Sequence, residues 1–168
     1  MKQKRMHETH RINTAVLLSY TVLTAILLVA YLLEFVKGSR TLNYTLVFAL
    51  LNLGPYISFL LLYLKDKSSS LVKYVLSIGF SVLYSFVLLT AAVPTTFVYI
   101  FLVFFMIIPY GDMKLCYITG GIAVVANIVS VVIGFMNGSL TTADLAMIEI
   151  QVIAVALAAI FTGLSTDA

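Results

Sequence analysis

The sequence predicts an all-α integral membrane protein, built as a bundle of six transmembrane helices with both termini in the cytoplasm. The first supporting observation is composition: hydrophobic residues make up 62% of the chain and charged residues 10%, whereas soluble domains are about half apolar and about a quarter charged. The second is that the apolar residues gather into six runs separated by turn-forming residues. Because hydrocarbon offers backbone groups no hydrogen-bond partner outside their own helix, each run is expected to be helical.

The predicted boundaries follow these runs and the breakers between them. We predict a basic cytoplasmic tail over 1–12, a membrane domain over 13–162 and a cytoplasmic stub over 163–168, with spans over 13–36, 41–64, 71–92, 95–109, 113–135 and 142–162. Span 1 is too long for a cleaved secretory signal and lacks a cleavage site, so it is expected to remain in the protein.

Span 2 contains a Gly54-Pro55 pair. Proline cannot donate a backbone hydrogen bond, which frees the carbonyl of Leu51 and predicts a kink. Gly54 and Pro55 are therefore candidate hinge residues, although a kink that only serves helix packing is the alternative. Span 3 is a continuous apolar run that leads into a link containing Pro94.

Span 4 is unusually short. The stretch between Pro94 and Pro109 gives roughly 21 Å of helix against a hydrocarbon thickness of about 30 Å. Either the helix continues back through Thr90, or its outer end lies below the membrane surface and leaves a depression lined by Thr95, Thr96 and Tyr99. A boundary error of one turn with local bilayer thinning is the simpler explanation.

Span 5 begins after Gly111-Asp112 and ends before the turn residues Asn137-Gly138-Ser139. Span 6 is expected to be capped by Thr141 or Thr142. Asp144 then falls in its first turn, where a carboxylate faces the positive end of the helix dipole.

Orientation follows from the lysine and arginine residues. Eight of them lie before span 1 or beside the second and fourth loops, and two flank the first loop: Lys2, Lys4, Arg5, Arg11, Lys65, Lys67, Lys73 and Lys114 against Lys37 and Arg40. Positive charge is retained on the cytoplasmic side of a membrane. The distribution therefore predicts a multi-pass protein with an N-in/C-in topology.

Several functional classes are disfavoured. The net charge of +3 lies at span ends, which indicates topology rather than a nucleic-acid surface. The single cysteine is Cys116, and the two histidines, His7 and His10, both lie in the tail, so no metal site and no cofactor are expected. Motifs typical of metalloproteases, serine hydrolases and nucleotide-binding loops are absent from the sequence. We expect no enzyme, no catalytic residues, no nucleic-acid partner, and the lipid bilayer as the surrounding partner.

Two acidic residues fall inside predicted spans, where a charge is costly and usually functional. Glu34 lies near the outer end of span 1, and Glu149 lies about two turns into span 6. Both are candidate ligand-binding residues. Alternatively, Glu34 pairs with Lys37 and reaches the headgroups, and Glu149 is a protonated or hydrogen-bonded packing residue.

Uncharged polar residues complete the candidate binding set. Asn52 and Asn127 are predicted near the membrane midplane, where amides commonly join helices by hydrogen bonds. Gln151 is close to Glu149 in sequence but on a different helix face, and Tyr99 is expected in the outer half. The functional interpretation is that these side chains line a polar cavity with the two acids. Interhelical packing, or for Tyr99 the interfacial aromatic belt, is the alternative.

Five stretches together resemble a known family. They are Glu8–Asn13, Lys37–Thr41, Phe97–Ile100, Asp112–Cys116 and Glu149–Gln151. In this order they resemble the N-terminal six-transmembrane-helix sensor region of methyl-accepting chemotaxis proteins of the clostridial Firmicutes type. The resemblance implies a bacterial cytoplasmic (inner) membrane location and a homo-oligomer, a dimer or higher. In that family a methylated cytoplasmic hairpin follows and controls a histidine kinase through a coupling protein, and no such hairpin is present in these residues.

Three functional hypotheses remain open. The first is a membrane-embedded sensory input module of a chemotaxis-type signal transducer, which passes a stimulus through span 6. The second is a six-span transporter, or a substrate-binding membrane subunit of an uptake system. Against that subunit, Ala25 and Ala30 are five residues apart instead of four. The third is a plain membrane anchor.

Overall fold

The computed structural model describes residues 2–90 and 94–166. Within these ranges all regular elements are helical. The six α-helices are α1 (Lys2–Val36), α2 (Leu42–Lys65), α3 (Val72–Leu89), α4 (Tyr99–Ile107), α5 (Met113–Met136) and α6 (Leu145–Ser165). Short 3-10 helices cover Pro94–Val98, Ile108–Tyr110 and Thr142–Asp144.

Five of these helical segments are long and apolar enough to cross a membrane. They are Met6–Val36, Leu42–Lys65, Val72–Leu89, Met113–Met136 and Thr142–Ser165. Large apolar side chains point outward along them, including Leu18, Leu50 and Ile150, which are 68%, 70% and 65% exposed. Such a surface is unfavourable in water and suited to lipid. The prediction of an all-helical membrane protein is confirmed at this level.

The fourth segment is interrupted. Its apolar stretch, Thr95–Tyr110, is shorter than the other five and consists of α4, nine residues long, between two 3-10 helices. Proline at 94 and 109 accounts for the irregular ends, and Gly111 ends the segment in the left-handed conformation, with φ of 59°. Residues 91–93, through which a longer helix back to Thr90 would run, lie outside the described residues.

Helix boundaries differ from the sequence prediction at both termini. The segment before the predicted first span, for which no helix is predicted, is helical from Lys2 onward as part of α1. Lysine, glutamine, arginine, methionine and glutamate are good helix formers, and no glycine or proline interrupts the tail. At the other end α6 continues to Ser165, beyond the predicted limit of 162. Helix α3 ends at Leu89, and the last predicted residues of span 3, 91–92, lie outside the described residues.

The chain forms two compact units, Met1–Leu83 and Tyr84–Ala168. In the first unit, α2 and α3 approach closely where Pro55 lies against Gly79. Tyr20 of α1 packs edge-on against Tyr56 and Phe59 of α2, with ring centroids 5.5 and 5.7 Å apart. These aromatic contacts join α1 to α2.

In the second unit α5 packs along α6. Gly120 lies against Ala159, and Gly163 against the ring of Tyr117, so small residues allow the close approach of the two helices. Before α6, the Asp144 carboxylate accepts hydrogen bonds from the Thr141 backbone N–H at 2.8 Å and from the Thr141 hydroxyl at 2.9 Å. The predicted role of Thr141 and Asp144 in starting span 6 is confirmed.

Candidate functional site

Three polar side chains from different helices form a hydrogen-bonded chain in the second unit. The Asn127 amide N–H of α5 donates to the Tyr84 hydroxyl of α3 at 2.6 Å and to the Ala123 carbonyl at 2.8 Å. The Gln151 amide N–H of α6 donates to the Asn127 carbonyl oxygen at 2.6 Å. We call Tyr84, Asn127 and Gln151 the polar triad.

The triad is enclosed by the protein. Asn127 is 0% exposed, Tyr84 1% and Gln151 8%. A buried amide without partners is destabilising, whereas both N–H groups and the carbonyl oxygen of Asn127 are hydrogen-bonded. Because these bonds cross from α3 to α5 and from α5 to α6, they fix the rotation of each helix about its axis at this level.

The chemistry available to the triad is exchange of hydrogen bonds. Its members are two neutral amides and a phenol. The Tyr84 hydroxyl accepts from Asn127 and has its own O–H to donate, and the Gln151 carbonyl oxygen is an acceptor. With the second N–H of Gln151, the triad thus has two donors and one acceptor that a polar molecule, or a changed helix packing, would engage.

The predicted binding residues divide between the two units. Asn127 and Gln151 are brought together in the triad, whereas Glu149 is exposed on another face of α6 and Tyr99, the first residue of α4, is half-buried. Tyr84, the third member of the triad, is not in the predicted binding set. Its partner could not be identified, because that requires the relative rotation of α3 and α5.

Asn52 and Glu34 belong to the first unit. Asn52 is buried, and its amide N–H donates to the Thr24 carbonyl oxygen at 3.1 Å. Its own carbonyl oxygen and the Thr24 hydroxyl are buried without a hydrogen-bond partner. Glu34 is half-buried near the end of α1. Their assignment to a ligand site stays a prediction, with Asn52 also joining α2 to α1 as interhelical packing would require.

The candidate hinge lies inside an uninterrupted helix. Helix α2 continues through Pro55, and the Ser58 hydroxyl donates to the Gly54 carbonyl at 2.9 Å. Pro55 packs directly against Gly79, whereas a Cβ at Gly54 would meet nothing within 4 Å. Pro55 therefore has a packing role, and its role as a hinge stays a prediction.

The first unit contains a second polar cluster, at its N-terminal end, that is not predicted from the sequence. The buried Asn13 amide donates to the carbonyl oxygens of Lys67 and Ser69 at 2.9 and 3.0 Å. The Ser68 hydroxyl donates to the Met6 carbonyl at 3.1 Å. Together these bonds hold the α2–α3 loop against α1. A polar residue at a predicted span boundary is expected to lie at the membrane interface, so the contact of Asn13 with the loop could not be predicted from the sequence.

Across residues 2–90 and 94–166 there is no group of three or more histidine, cysteine, aspartate or glutamate side chains that could hold a metal ion. Comparison with protein-family models, curated proteins and solved structures gives no match. The resemblance to chemotaxis receptors therefore rests on the five sequence stretches.

Proposed function

We propose that this chain is the membrane-embedded sensory input module of a chemotaxis-type signal transducer. It crosses the bacterial cytoplasmic membrane six times, with Thr95–Tyr110 as the short fourth span and both termini inside. It assembles as a dimer or a higher oligomer. A cytoplasmic signalling region, absent from these residues, receives the stimulus from α6 and reaches the histidine kinase through the coupling protein.

The polar triad is the observation that supports this proposal most directly. Gln151 couples α6 to Asn127 of α5, and Asn127 couples α5 to Tyr84 of α3. Interhelical hydrogen bonds in membranes contribute only about 0.6–2 kcal/mol each. Alternative packings of α6 are then separated by a few kcal/mol, which is the range that a stimulus can shift through differential interaction.

The test is a fusion of residues 1–168 to the cytoplasmic signalling region of a characterised chemotaxis receptor. Kinase phosphorylation is measured in membranes for the unaltered fusion, for Gln151→Leu and for Asn127→Leu. The matched control is Ile150→Leu, on the exposed face of α6 beside Gln151. We expect both triad variants to change kinase activity several-fold and the control to leave it unchanged.

Equal kinase activity in all four fusions, at equal membrane levels, would contradict the proposal. If the purified chain instead retained one soluble small molecule per copy while kinase activity stayed constant, the uptake-subunit alternative would be favoured. Constant kinase activity with no retained molecule would favour the membrane anchor.

A further inference from the structure

A cavity of about 760 Å³ opens at the N-terminal end of the first unit. Its wall is formed by one face of α1, from His7 to Thr21, and by Tyr63 of α2. Sites for small organic ligands typically occupy about 300–1,000 Å³. The cavity is therefore large enough for a phosphate-bearing headgroup with part of an attached chain.

The chemistry of the wall changes along α1. His7, His10 and Arg11 line the end of the cavity that precedes the apolar run, and Leu17 and Leu18 line the end within it. From Arg11 to Leu18 the helix rises about 10 Å, roughly the depth from a headgroup to the first segment of an acyl chain. The cationic end of the cavity thus corresponds to the anionic headgroup of a phospholipid, and the apolar end corresponds to its acyl chain.

Hydroxyl groups lie between the two ends. The Thr14 and Tyr63 hydroxyls are hydrogen-bonded to each other at 2.8 Å, and both side chains line the cavity. They stand at the level of a glycerol backbone and its ester groups. The Thr14 hydroxyl also donates to the His10 carbonyl oxygen at 2.9 Å, so the Tyr63 O–H is the donor within the pair and both hydroxyl hydrogens are used in the wall.

The cationic end is held in place by contacts within the first unit. The Asn13 amide holds the α2–α3 loop against α1 through two hydrogen bonds. The Ser68 hydroxyl bonds to the Met6 carbonyl. The His10 ring packs beside Tyr63, with centroids 6.4 Å apart. The loop therefore packs against α1 beside the cavity, whose wall is formed by α1 and Tyr63 of α2.

The charge of the wall selects an anion. Its described lining includes one arginine and two histidines and no carboxylate. Arginine pairs with phosphate oxygens through charge-assisted hydrogen bonds, and basic pockets beside transmembrane helices bind anionic headgroups. A free phosphate ion would use the cationic end and leave the apolar wall empty, whereas a phospholipid uses both.

We infer that this cavity is a binding site for an anionic phospholipid, with the phosphate at Arg11 and His10 and an acyl chain along Leu17 and Leu18. The site goes beyond the proposed sensory function and requires only that α1 lies in a bilayer. A lipid held there bridges α1 and α2, so the lipid composition of that leaflet acts on the first unit.

The experiment is native mass spectrometry of the full chain in detergent, titrated with dioleoylphosphatidylglycerol or dioleoylphosphatidylcholine. We expect preferential retention of one phosphatidylglycerol. Removing the Arg11 guanidinium and the His10 imidazole in the double variant His10→Gln, Arg11→Gln should lower its apparent affinity at least about fivefold. The matched control is Lys114→Gln, an exposed cation at the start of α5, which should bind as the unaltered protein does.

Two further arms separate the lipid from a free anion. Ala15→Leu narrows the cavity without changing charge and should also weaken retention, since Ala15 lines it. Millimolar inorganic phosphate should not displace the lipid. The proposal is overturned if both lipids bind equally, if the double variant binds as Lys114→Gln does, if Ala15→Leu has no effect, or if phosphate alone displaces the lipid.

Discussion

Pro55 of α2 lies so close to the backbone of Gly79 of α3 that a side chain at position 79 would overlap the proline ring, whose Cγ would be 2.6 Å from the added Cβ. The glycine is thus a position at which these two helices of the first unit are in close contact. A rigid ring cannot move aside as a flexible side chain would, so the contact depends on the absence of a Cβ.

Gly79→Ala is therefore expected to destabilise the first unit by about 1–3 kcal/mol, the usual cost of overpacking. The matched control is Gly54→Ala, where an added Cβ meets nothing within 4 Å and the alanine gains up to about 1 kcal/mol in helix propensity. Thermal unfolding in detergent, followed by circular dichroism, should lower Tm for the first variant only. Equal Tm values for the two variants would show that the helices separate there without cost.

A pair of adjacent glycines, Gly120 and Gly121, gives a second test, in the other unit. A Cβ at Gly120 would overlap the Ala159 side chain and lie 3.1 Å from the Ala159 backbone Cα, whereas a Cβ at Gly121 meets nothing within 4 Å. Gly120→Ala should lower Tm because α5 and α6 must move apart. Gly121→Ala should leave Tm unchanged or raise it. The reverse order would mean that α5 is rotated by about one residue relative to α6.

The polar triad predicts energetic coupling between Asn127 and Gln151. A double-mutant cycle with Asn127→Ala, Gln151→Ala and both together should give a coupling energy of about 0.5–1.5 kcal/mol in the free energy of unfolding in detergent. The physical reason is that removing Gln151 takes the donor from the buried Asn127 carbonyl oxygen, and removing Asn127 takes the acceptor from the buried Gln151 N–H. Additive effects, with a coupling energy near zero, would contradict the 2.6 Å hydrogen bond between them.

Features that depend on position along the chain could be predicted from the sequence. Apolar runs predicted the five long helices, and Thr141 with Asp144 predicted the start of α6. Helix α1 begins before the predicted span because the hydropathy pattern marks where a helix meets lipid, whereas the basic residues before that point are themselves good helix formers.

Which helix faces pack against each other could not be predicted from the sequence. Asn127 and Gln151 were identified from their depth in the predicted spans, but Tyr84, which completes the triad, required the rotation of α3 against α5. Asn13 is the clearer case, since its two acceptors are backbone carbonyls of a loop more than fifty positions away. A backbone acceptor leaves no side-chain pattern to detect.

Asn13 also supplies a local prediction. Asn13→Ala removes both hydrogen bonds to the α2–α3 loop, so amide hydrogen exchange should accelerate by about tenfold or more across Lys67–Ser69. Thr14→Ala, at the next position, removes the bonds to the Tyr63 hydroxyl and the His10 carbonyl but none to the loop, so it should leave the loop protected. Hydrogen exchange followed by mass spectrometry measures both. Unchanged exchange in Asn13→Ala would show that other contacts hold the loop.

The number of membrane crossings is decided by the short segment Thr95–Tyr110. Ser39 follows α1 and Asn137 follows α5, and both side chains are exposed. Four helical segments separate these positions if Thr95–Tyr110 crosses the membrane, and an even number of crossings returns the chain to the same side. If it does not cross, three crossings place them on opposite sides.

Single cysteines at these positions, in a Cys116→Ala background, are therefore diagnostic when intact cells are treated with a membrane-impermeant maleimide. We expect Ser39→Cys and Asn137→Cys to be labelled from outside, because the positive charges favour N-in/C-in. Ser70→Cys, exposed in the α2–α3 loop, should be labelled only after the cells are permeabilised. Labelling of Ser39→Cys but not Asn137→Cys in intact cells would show that Thr95–Tyr110 does not cross the membrane. The C-terminus would then lie outside the cell, where α6 could not deliver a signal to a cytoplasmic kinase.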